Sequence, residues 1–284
     1  MLFLLYTQIR SFDSKAWEEM SIQSPLSLIL AIILVFPNIW FAYAKWRVVI
    51  TTIDLETDRS SRVQSFFAGL VTGMLTPNMV GNFLGRLYYF DKKYRASITG
   101  LTLLSNYAQF LVSITFGLVA IIAAGSFYPI DNINMVIMIL SAAVVVSYIL
   151  YFYVEYLFKW IPRVDLEDLR KVMRKKVTFR IQLWLLSAAR FIVSTSQFML
   201  MLHAFGTEVS FELLLMIWQV YLITMIAPSL LLGKIGVKES ISLFVLTSIG
   251  VNEYAILITS LLIWFVNSLS PALLGLIVCK KKTA

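Results

Sequence analysis

The chain has 284 residues, of which 59% are hydrophobic and 14% are charged, and its mean hydropathy is +0.81. Soluble domains are about 45–50% apolar and about 25% charged, so this composition excludes a soluble globular protein and predicts a membrane protein with several spans. The formal net charge of +8 is typical of a membrane protein whose basic residues gather on the cytoplasmic side.

Apolar segments follow one another along the whole chain. They lie at about 25–46, 66–90, 96–124, 134–157, 181–203, 212–232, 240–250 and 254–279. Before them, residues 1–6 are either the end of a helix whose start is missing or a short anchor at the membrane surface, and the sequence favours neither. Residues 7–24 are polar enough to lie on that surface.

The distribution of Lys and Arg between the loops predicts the orientation. Segment 158–180 carries eight of them, whereas 125–135 and 204–212 carry none, and the chain ends with Lys280–Lys282 before Thr283 and Ala284. By the positive-inside rule, 158–180 and the C terminus are cytoplasmic and the two uncharged loops are external. We therefore expect a multi-pass membrane protein with a cytoplasmic C terminus.

Segment 66–90 has basic residues on both flanks, which a single membrane span does not have. The stretch 45–63 holds four Lys or Arg, Lys45 among them, and 91–95 holds three. The sequence TPNMVGN at 76–82 divides the segment into two arms of about a dozen residues, each too short to cross about 30 Å at about 1.5 Å per residue. We predict a re-entrant hairpin that enters from the cytoplasm and returns.

Segment 212–250 has the same organisation with the opposite polarity. It follows an external loop and precedes a span that must end in the cytoplasm, so it must leave and return on the external side. Its break is APSLLLGKIGVKE at 227–239. We predict a single all-α domain over 1–284, a polytopic membrane helix bundle with two oppositely oriented re-entrant hairpins of the inverted-repeat type. The halves are about 25–157 and 181–279, joined by the cytoplasmic basic loop 158–180.

Both hairpin breaks combine proline, glycine and charged or polar residues. Paired broken segments in corresponding halves indicate the central site of a transporter, because irregular backbone at membrane depth must be covered by protein or reached by water. The predicted hinge residues are Pro77, Gly81, Gly85, Pro228, Gly233 and Gly236. The residues expected to contact a lipid headgroup are Asn78, Asn82, Arg86, Arg190, Lys234, Lys238 and Glu239.

These polar groups favour an anionic ligand, since half-helix N termini and basic side chains attract phosphate. Ionisable residues inside a membrane are expensive and are functional by default, and Arg190 lies too deep in its span to reach the interface comfortably. Glu239 has two interpretations, a ligand for a cationic headgroup or a partner in an ion pair that locks the hairpin. Five amide residues either bond between helices or line a polar route: Asn106, Gln109, Gln197, Gln219 and Asn267.

The motifs GLVTGMLTPNMVGNFLGRLYYF (69–90) and APSLLLGKIGVKESISLFVL (227–246) resemble those of the lysylphosphatidylglycerol synthase transmembrane region, the flippase-like domain family. KIGVKE is the more specific match, and the resemblance covers about 25–279. It implies an integral-membrane lipid translocase domain of the bacterial plasma (inner) membrane. The matching positions are Pro77, Gly81, Arg86, Pro228, Gly233, Gly236, Val237, Lys238 and Glu239.

The chain departs from the family pattern at several places. Asn82 stands where an acidic residue is common, which weakens any interaction there with a cationic headgroup. Gly233-Lys234 replaces the usual glycine pair. The first helix of the family is expected to be mostly missing, and no aminoacyl-transferase domain follows, so no synthase activity is expected.

The favoured function is translocation of a polar-headed phospholipid or a lipid-linked glycan between leaflets. One alternative is a non-transporting accessory subunit of a lipid or glycan biosynthesis complex. A less favoured one is a lipid-modifying enzyme, because a single Cys279, a single His203 and the lack of clustered intramembrane carboxylates give little basis for catalysis. We expect no catalytic residue, metal or cofactor.

The expected partners are membrane lipids. The resemblance also allows a homodimer or an association with a lipid or glycan biosynthetic enzyme. Nucleic acid is not expected, because the basic loop 158–180 is interleaved with acids and lacks aromatic spacing. There is no Walker A motif, so a driving force would come from ion coupling, a gradient or a separate partner.

Overall fold

The structure, a computed structural model, describes residues 21–53, 57–76, 80–126, 131–157, 177–228 and 236–279, and within these ranges it is all-α. The first described helices, α1 (Pro25–Ile33) and α2 (Val35–Thr52), are almost continuous and form one apolar segment of 28 residues. α1 begins at Pro25 because Ser24 accepts a hydrogen bond from the backbone N–H of Ser27 and proline is preorganised for the first helical position.

The remaining helices follow in chain order. They are α3 (Arg59–Met74), α4 (Gly81–Leu87), α5 (Arg95–Ala124), α6 (Ile133–Leu157), α7 (Val177–Ala204), α8 (Phe211–Ile226), α9 (Val237–Leu246), α10 (Glu253–Trp264) and α11 (Ser270–Val278). Two 3₁₀ turns, Lys92–Tyr94 and Thr247–Ile249, precede α5 and α10, and one π-helical turn, Phe265–Leu269, joins α10 to α11.

Five helical segments of the described chain are long and apolar enough to cross a bilayer. They are Pro25–Thr52, Lys92–Ala124, Ile133–Tyr153, Val177–Ala204 and Glu253–Val278. Large apolar side chains such as Phe36 and Ile277 are exposed on their outer faces, as expected where lipid replaces water as the solvent. The predicted all-α, multi-pass membrane protein is confirmed. The other apolar helix, α8, has only 16 residues.

Helix bounds differ from the sequence interpretation at two places. The first arm of segment 66–90 begins at Arg59, because the Oδ2 atom of Asp58 accepts a hydrogen bond of 3.2 Å from the N–H of Ser61 and caps α3. The helix therefore starts in a polar stretch that hydropathy places outside the segment. α7 begins at Val177, within the predicted loop 158–180, and the rest of that loop lies outside the described residues.

The buried apolar side chains form two clusters that share α7. The first cluster includes Trp46, Phe66 and Leu183, and the second includes Phe198 and Leu243. Leu183 and Phe198 both belong to α7, at either side of Arg190 in the sequence. The predicted intramembrane arginine therefore lies where the two apolar cores meet, and it lines two polar cavities there.

Candidate functional site

Three basic side chains from three different helices line one cavity of about 520 Å³. Lys45 comes from α2, Arg86 from α4 and Arg190 from α7, while α3, α5 and the end of α8 complete the walls. None of the described residues that line the cavity is acidic. The remaining polar lining is uncharged: Asn82, Ser105, Asn106 and Gln109.

The position of Arg86 depends on close packing between α3 and α4. Gly69 and Gly73 on α3 face the Arg86 and Asn82 region of α4, so the two helices run antiparallel. A Cβ atom added at Gly81 or Gly85 would lie 2.2 Å from the Thr72 carbonyl or hydroxyl oxygen, respectively. Glycines spaced four apart allow helix backbones to approach in this way. Gly81 and Gly85, predicted as hinges, thus lie at a helix contact within α4.

Thr72 and Thr76 bond the two arms together at this contact. The Thr72 hydroxyl donates to the Gly81 carbonyl at 2.5 Å, and the Gly81 N–H donates to the Thr76 hydroxyl at 2.6 Å. The first hairpin is therefore fixed by backbone approach as well as by side-chain packing. Pro77 and Asn78, between these arms, lie outside the described residues.

The guanidinium of Arg86 lies against aromatic rings at the cavity wall. Its carbon Cζ is 4.6 Å from the Trp46 ring centroid and 5.8 Å from that of Phe66, within the range of cation–π attraction. Trp46 is held in turn because its indole N–H donates to the Arg62 carbonyl and the Ser65 hydroxyl. The Nε atom of Arg86 is buried and has no hydrogen-bond partner among the described residues.

Lys45 is a site residue that the sequence interpretation missed. It was counted among the basic flank of segment 66–90, but it is only 5% exposed and faces the cavity. Its Nζ donates to Gln109 Oε1 at 3.5 Å, a long and weak hydrogen bond. The signal was present in the spacing, because Asn38, Ala42 and Lys45 share one face of a helix that continues to Thr52.

Arg190 lines both this cavity and a second one of about 230 Å³. Its Nε donates to Asn38 Oδ1 at 2.9 Å, and Asn38 Nδ2 donates to the Ser194 hydroxyl at 3.0 Å. Asn38 and Ser194 line the second cavity, together with Lys238 and Glu239 of α9. The predicted residues Asn82, Arg86, Arg190, Lys238 and Glu239 are thus distributed over two adjacent cavities.

Lys238 is held by aromatic residues. Its Nζ donates to the Tyr221 hydroxyl at 3.1 Å and lies 4.5 Å and 4.6 Å from the ring centroids of Tyr221 and Phe198. The Tyr221 hydroxyl donates to the Ser194 carbonyl at 3.1 Å. Lys238 therefore has a hydrogen-bond partner as well as two rings, whereas the contacts given for the Arg86 guanidinium among the described residues are with the faces of two rings.

Glu239 caps the helix on which it lies. Its Oε2 accepts a hydrogen bond of 2.6 Å from the N–H of Gly236, which has the left-handed φ of +79° that favours glycine. The residue is 1% exposed, and its Oε1 has no hydrogen-bond partner in the described part of the chain. Neither sequence interpretation anticipated this cap.

The predicted residues of the second break are only partly described. Gly233 and Lys234 lie outside the described residues, whereas Pro228 is exposed and lines the larger cavity at the end of α8.

The five amide residues adopt both arrangements considered from the sequence. Gln197 Nε2 donates to the Ala31 carbonyl at 2.9 Å, and Asn267 Nδ2 donates to Gln197 Oε1 at 2.6 Å. Gln219 Nε2 donates to the Gly125 carbonyl. These bonds join helices, while Asn106 and Gln109 line the larger cavity and Asn267 lines the smaller one.

The chain matches the family model of the lysylphosphatidylglycerol synthase TM region over residues 1–275. It belongs to this family. The match includes both hairpin motifs and every described residue that lines the two cavities. No curated protein and no solved structure matches the chain.

Proposed function

We propose that this protein is a flippase-like lipid translocase, which moves a polar-headed phospholipid or a lipid-linked glycan between membrane leaflets. Membership of a family whose name refers to lipid synthesis supports a lipid substrate. The observation that carries the proposal is the cavity lined by Lys45, Arg86 and Arg190 with no acidic residue among its described lining. Such a cluster inside a membrane protein is costly unless it binds an anion.

The cavity also has a route for the apolar part of a lipid. Ile226 and Pro228 line it, and Ile226 is 62% exposed at the outer surface of the bundle. Leu70, Phe66 and Met225 provide an apolar wall beside the basic groups. In the proposed mechanism, the headgroup enters among the basic residues while the acyl or polyprenyl chain stays in the surrounding lipid.

The two helical hairpins, α3–α4 and α8–α9, are proposed to be re-entrant and related by an inverted repeat. In that scheme α2 corresponds to α7, and the first hairpin corresponds to the second. The span α5 corresponds to α10–α11. Equivalent spans α2 and α7 pack against each other, α8 packs against α5, and α3 packs against α11. A two-fold pseudo-symmetry would convert the α8–α5 contact into the α3–α11 contact, and this equivalence supports the proposed repeat.

Arg190 is proposed to pass the headgroup between the two cavities, because it is the basic residue that lines both. Closing one cavity while the other opens would give alternating access around a central group. The loop charges support a cytoplasmic C terminus, and we place the protein in the bacterial plasma membrane by its resemblance to the family. An association with itself or with a lipid or glycan biosynthetic enzyme is compatible with this role.

The proposal is tested by leaflet exchange of fluorescent lipids in proteoliposomes. Wild type is compared with Arg86→Gln and Arg190→Gln, and with Arg47→Gln as a matched control, because Arg47 is an exposed arginine on α2. We expect exchange by wild type and by the control, and a loss of about tenfold or more in the two cavity variants.

Monodispersity of each purified variant in detergent verifies that it has folded. If folded wild type exchanges none of the anionic, zwitterionic, aminoacylated and polyprenyl-linked lipids, the translocase proposal is wrong. The non-transporting accessory subunit would then be preferred, and co-purification with membrane-bound biosynthetic enzymes would be the next measurement.

A further inference from the structure

The charge balance of the two adjacent cavities indicates which headgroup they accept. We infer that the site selects lipids whose compact headgroup carries about two negative charges, a phosphate monoester or a diphosphate, and discriminates against aminoacylated phospholipids. This inference rests on the proposed function, since it names the substrate class of the same site.

The two cavities hold four basic side chains and one carboxylate among their described lining residues. Lys45, Arg86 and Arg190 line the larger cavity, and Arg190 is shared with the smaller one, which adds Lys238 and Glu239. One oxygen of this carboxylate already has a partner, because Oε2 of Glu239 accepts a hydrogen bond from the Gly236 N–H. A ligand that compensates this excess must therefore be strongly anionic.

The basic groups of the larger cavity also retain unused hydrogen-bond donors. The buried Nε of Arg86 has no partner within the described ranges, and Lys45 makes a single hydrogen bond of 3.5 Å. Buried polar groups are normally satisfied, and an unsatisfied guanidinium is suited to the oxygens of a phosphate. A terminal phosphate presents three such oxygens and about −1.5 to −2 charges, whereas a phosphodiester presents two oxygens and about one charge.

An aminoacyl headgroup would add one or two ammonium groups to this environment. In the larger cavity these would lie among three basic residues with only neutral polar partners such as Asn82, whose buried Oδ1 is unpartnered among the described residues. Glu239 lines the smaller cavity beside Lys238. The positive charge of Lys238 weakens the attraction of Glu239 for an ammonium group of the ligand. Juxtaposed like charges are a strong source of discrimination.

Direct binding in detergent tests this selectivity separately from transport. Native mass spectrometry would rank dioleoyl phosphatidate, a polyprenyl phosphate, phosphatidylglycerol, phosphatidylcholine and lysyl-phosphatidylglycerol on the wild-type protein. We expect the two phosphate monoesters to bind about tenfold or more tightly than phosphatidylglycerol, with the lysyl lipid weakest. Preference between the monoesters would identify a glycerolipid or a polyprenyl source of the same phosphate chemistry.

Two variants make the test specific to the cavity. Arg86→Gln is expected to reduce the differences in affinity among the lipids to within about threefold, because it removes the guanidinium proposed to bind phosphate. Asn82→Asp is expected to improve binding of the lysyl lipid relative to phosphatidate by about tenfold, because it adds a carboxylate to the larger cavity. Arg47→Gln, exposed on α2, should leave the ranking unchanged.

The outcomes separate this inference from the proposed function. If lysyl-phosphatidylglycerol binds wild type as tightly as phosphatidate, the inference is wrong, even if the protein exchanges lipids in vesicles. If the ranking is as expected but no lipid is exchanged in proteoliposomes, the translocase proposal fails while the inferred selectivity of the site stands.

Discussion

The two hairpins interrupt the chain in similar ways but use their charged residues differently. In the α3–α4 hairpin, glycine contacts bring the helices together, and Arg86 projects from them against aromatic rings with its Nε unpartnered among the described residues. In the α8–α9 hairpin, Glu239 caps α9 and Lys238 bonds to Tyr221. The described charges of the second hairpin, Lys238 and Glu239, therefore bond within that hairpin, whereas Arg86 of the first hairpin faces the larger cavity.

Charged residues in two similar hairpins therefore differ in whether the protein itself provides their hydrogen-bond partners. A charge that has protein partners costs stability when it is removed, because its partner is left unsatisfied. A charge without protein partners costs stability while it is present, because burial has removed its water. Removing a buried cavity charge and removing a partnered charge of the second hairpin should therefore change the free energy of unfolding with opposite signs.

The largest effect is expected from breaking the glycine contact of the first hairpin with Gly85→Val. The added side chain would begin 2.2 Å from the Thr72 hydroxyl and 2.4 Å from the Ala68 carbonyl oxygen, so the helices must separate. We expect a loss of about 3 kcal/mol in the free energy of unfolding in detergent, followed by tryptophan fluorescence. Leu84→Ala, on an α4 residue that is 66% exposed, is the control and should change it little.

A somewhat smaller loss is expected from removing the cap of the second hairpin. Glu239→Ala leaves the buried Gly236 N–H without its acceptor, which should cost about 2 kcal/mol of unfolding free energy. Glu239→Gln keeps an acceptor oxygen and should retain at least half of that stability. Glu253→Ala, at an exposed first-turn glutamate of α10, serves as the control. Equal losses from the glutamine and alanine variants would show that the charge, and not the cap, stabilises the hairpin.

Removing a basic charge from the larger cavity should instead raise the free energy of unfolding. Lys45→Met preserves most of the side-chain volume and removes a buried charge whose described partner is one oxygen at 3.5 Å. We expect the unfolding free energy of the lipid-free protein to rise by about 1 kcal/mol while lipid exchange falls, a trade-off typical of functional sites. Destabilisation by Lys45→Met would instead assign Lys45 a structural role through Gln109.

The sequence was informative about the position of the hairpins and less so about the partners of their side chains. Proline and glycine at 76–82 and 227–239 mark the breaks, since several of these weak helix formers occur close together there. Lys45 was misassigned because hydropathy averages over all faces of a helix, so a charge near the end of an apolar segment resembles a flank. Its neighbours Arg86 and Arg190 belong to other helices, and no local pattern predicts that three distant segments converge.

The role of Glu239 illustrates a different limit. A carboxylate beside a lysine suggests an ion pair in any sequence, whereas the observed cap depends on the left-handed conformation of Gly236. The spacing of three residues between Gly236 and Glu239 is compatible with the cap, but glycine provides no side chain for the reciprocal bond that makes a capping box recognisable.

The smallest expected effect is on the stability of the first turn of α3, which is capped by Asp58. The dependence of that stability on pH measures how much the cap contributes to the first hairpin. Hydrogen bonds from the hydroxyl and backbone N–H of Ser61 lower the pKa of the exposed Asp58 carboxyl. Because the folded pKa is depressed, the stabilisation is present above the unfolded value of about 3.9 and is lost as the pH falls through the folded pKa.

Asp58→Asn isolates this effect, since the amide oxygen can still cap the helix but does not titrate. Amide hydrogen exchange in the first turn of α3 would be compared between wild type and the variant at the same pH, which removes the intrinsic pH dependence of exchange. We expect wild-type protection to fall relative to the variant below about pH 4. A constant ratio from pH 7 to 3 would mean that the contacts of Trp46 with Arg62 and Ser65, and not the Asp58 charge, hold this end of the hairpin.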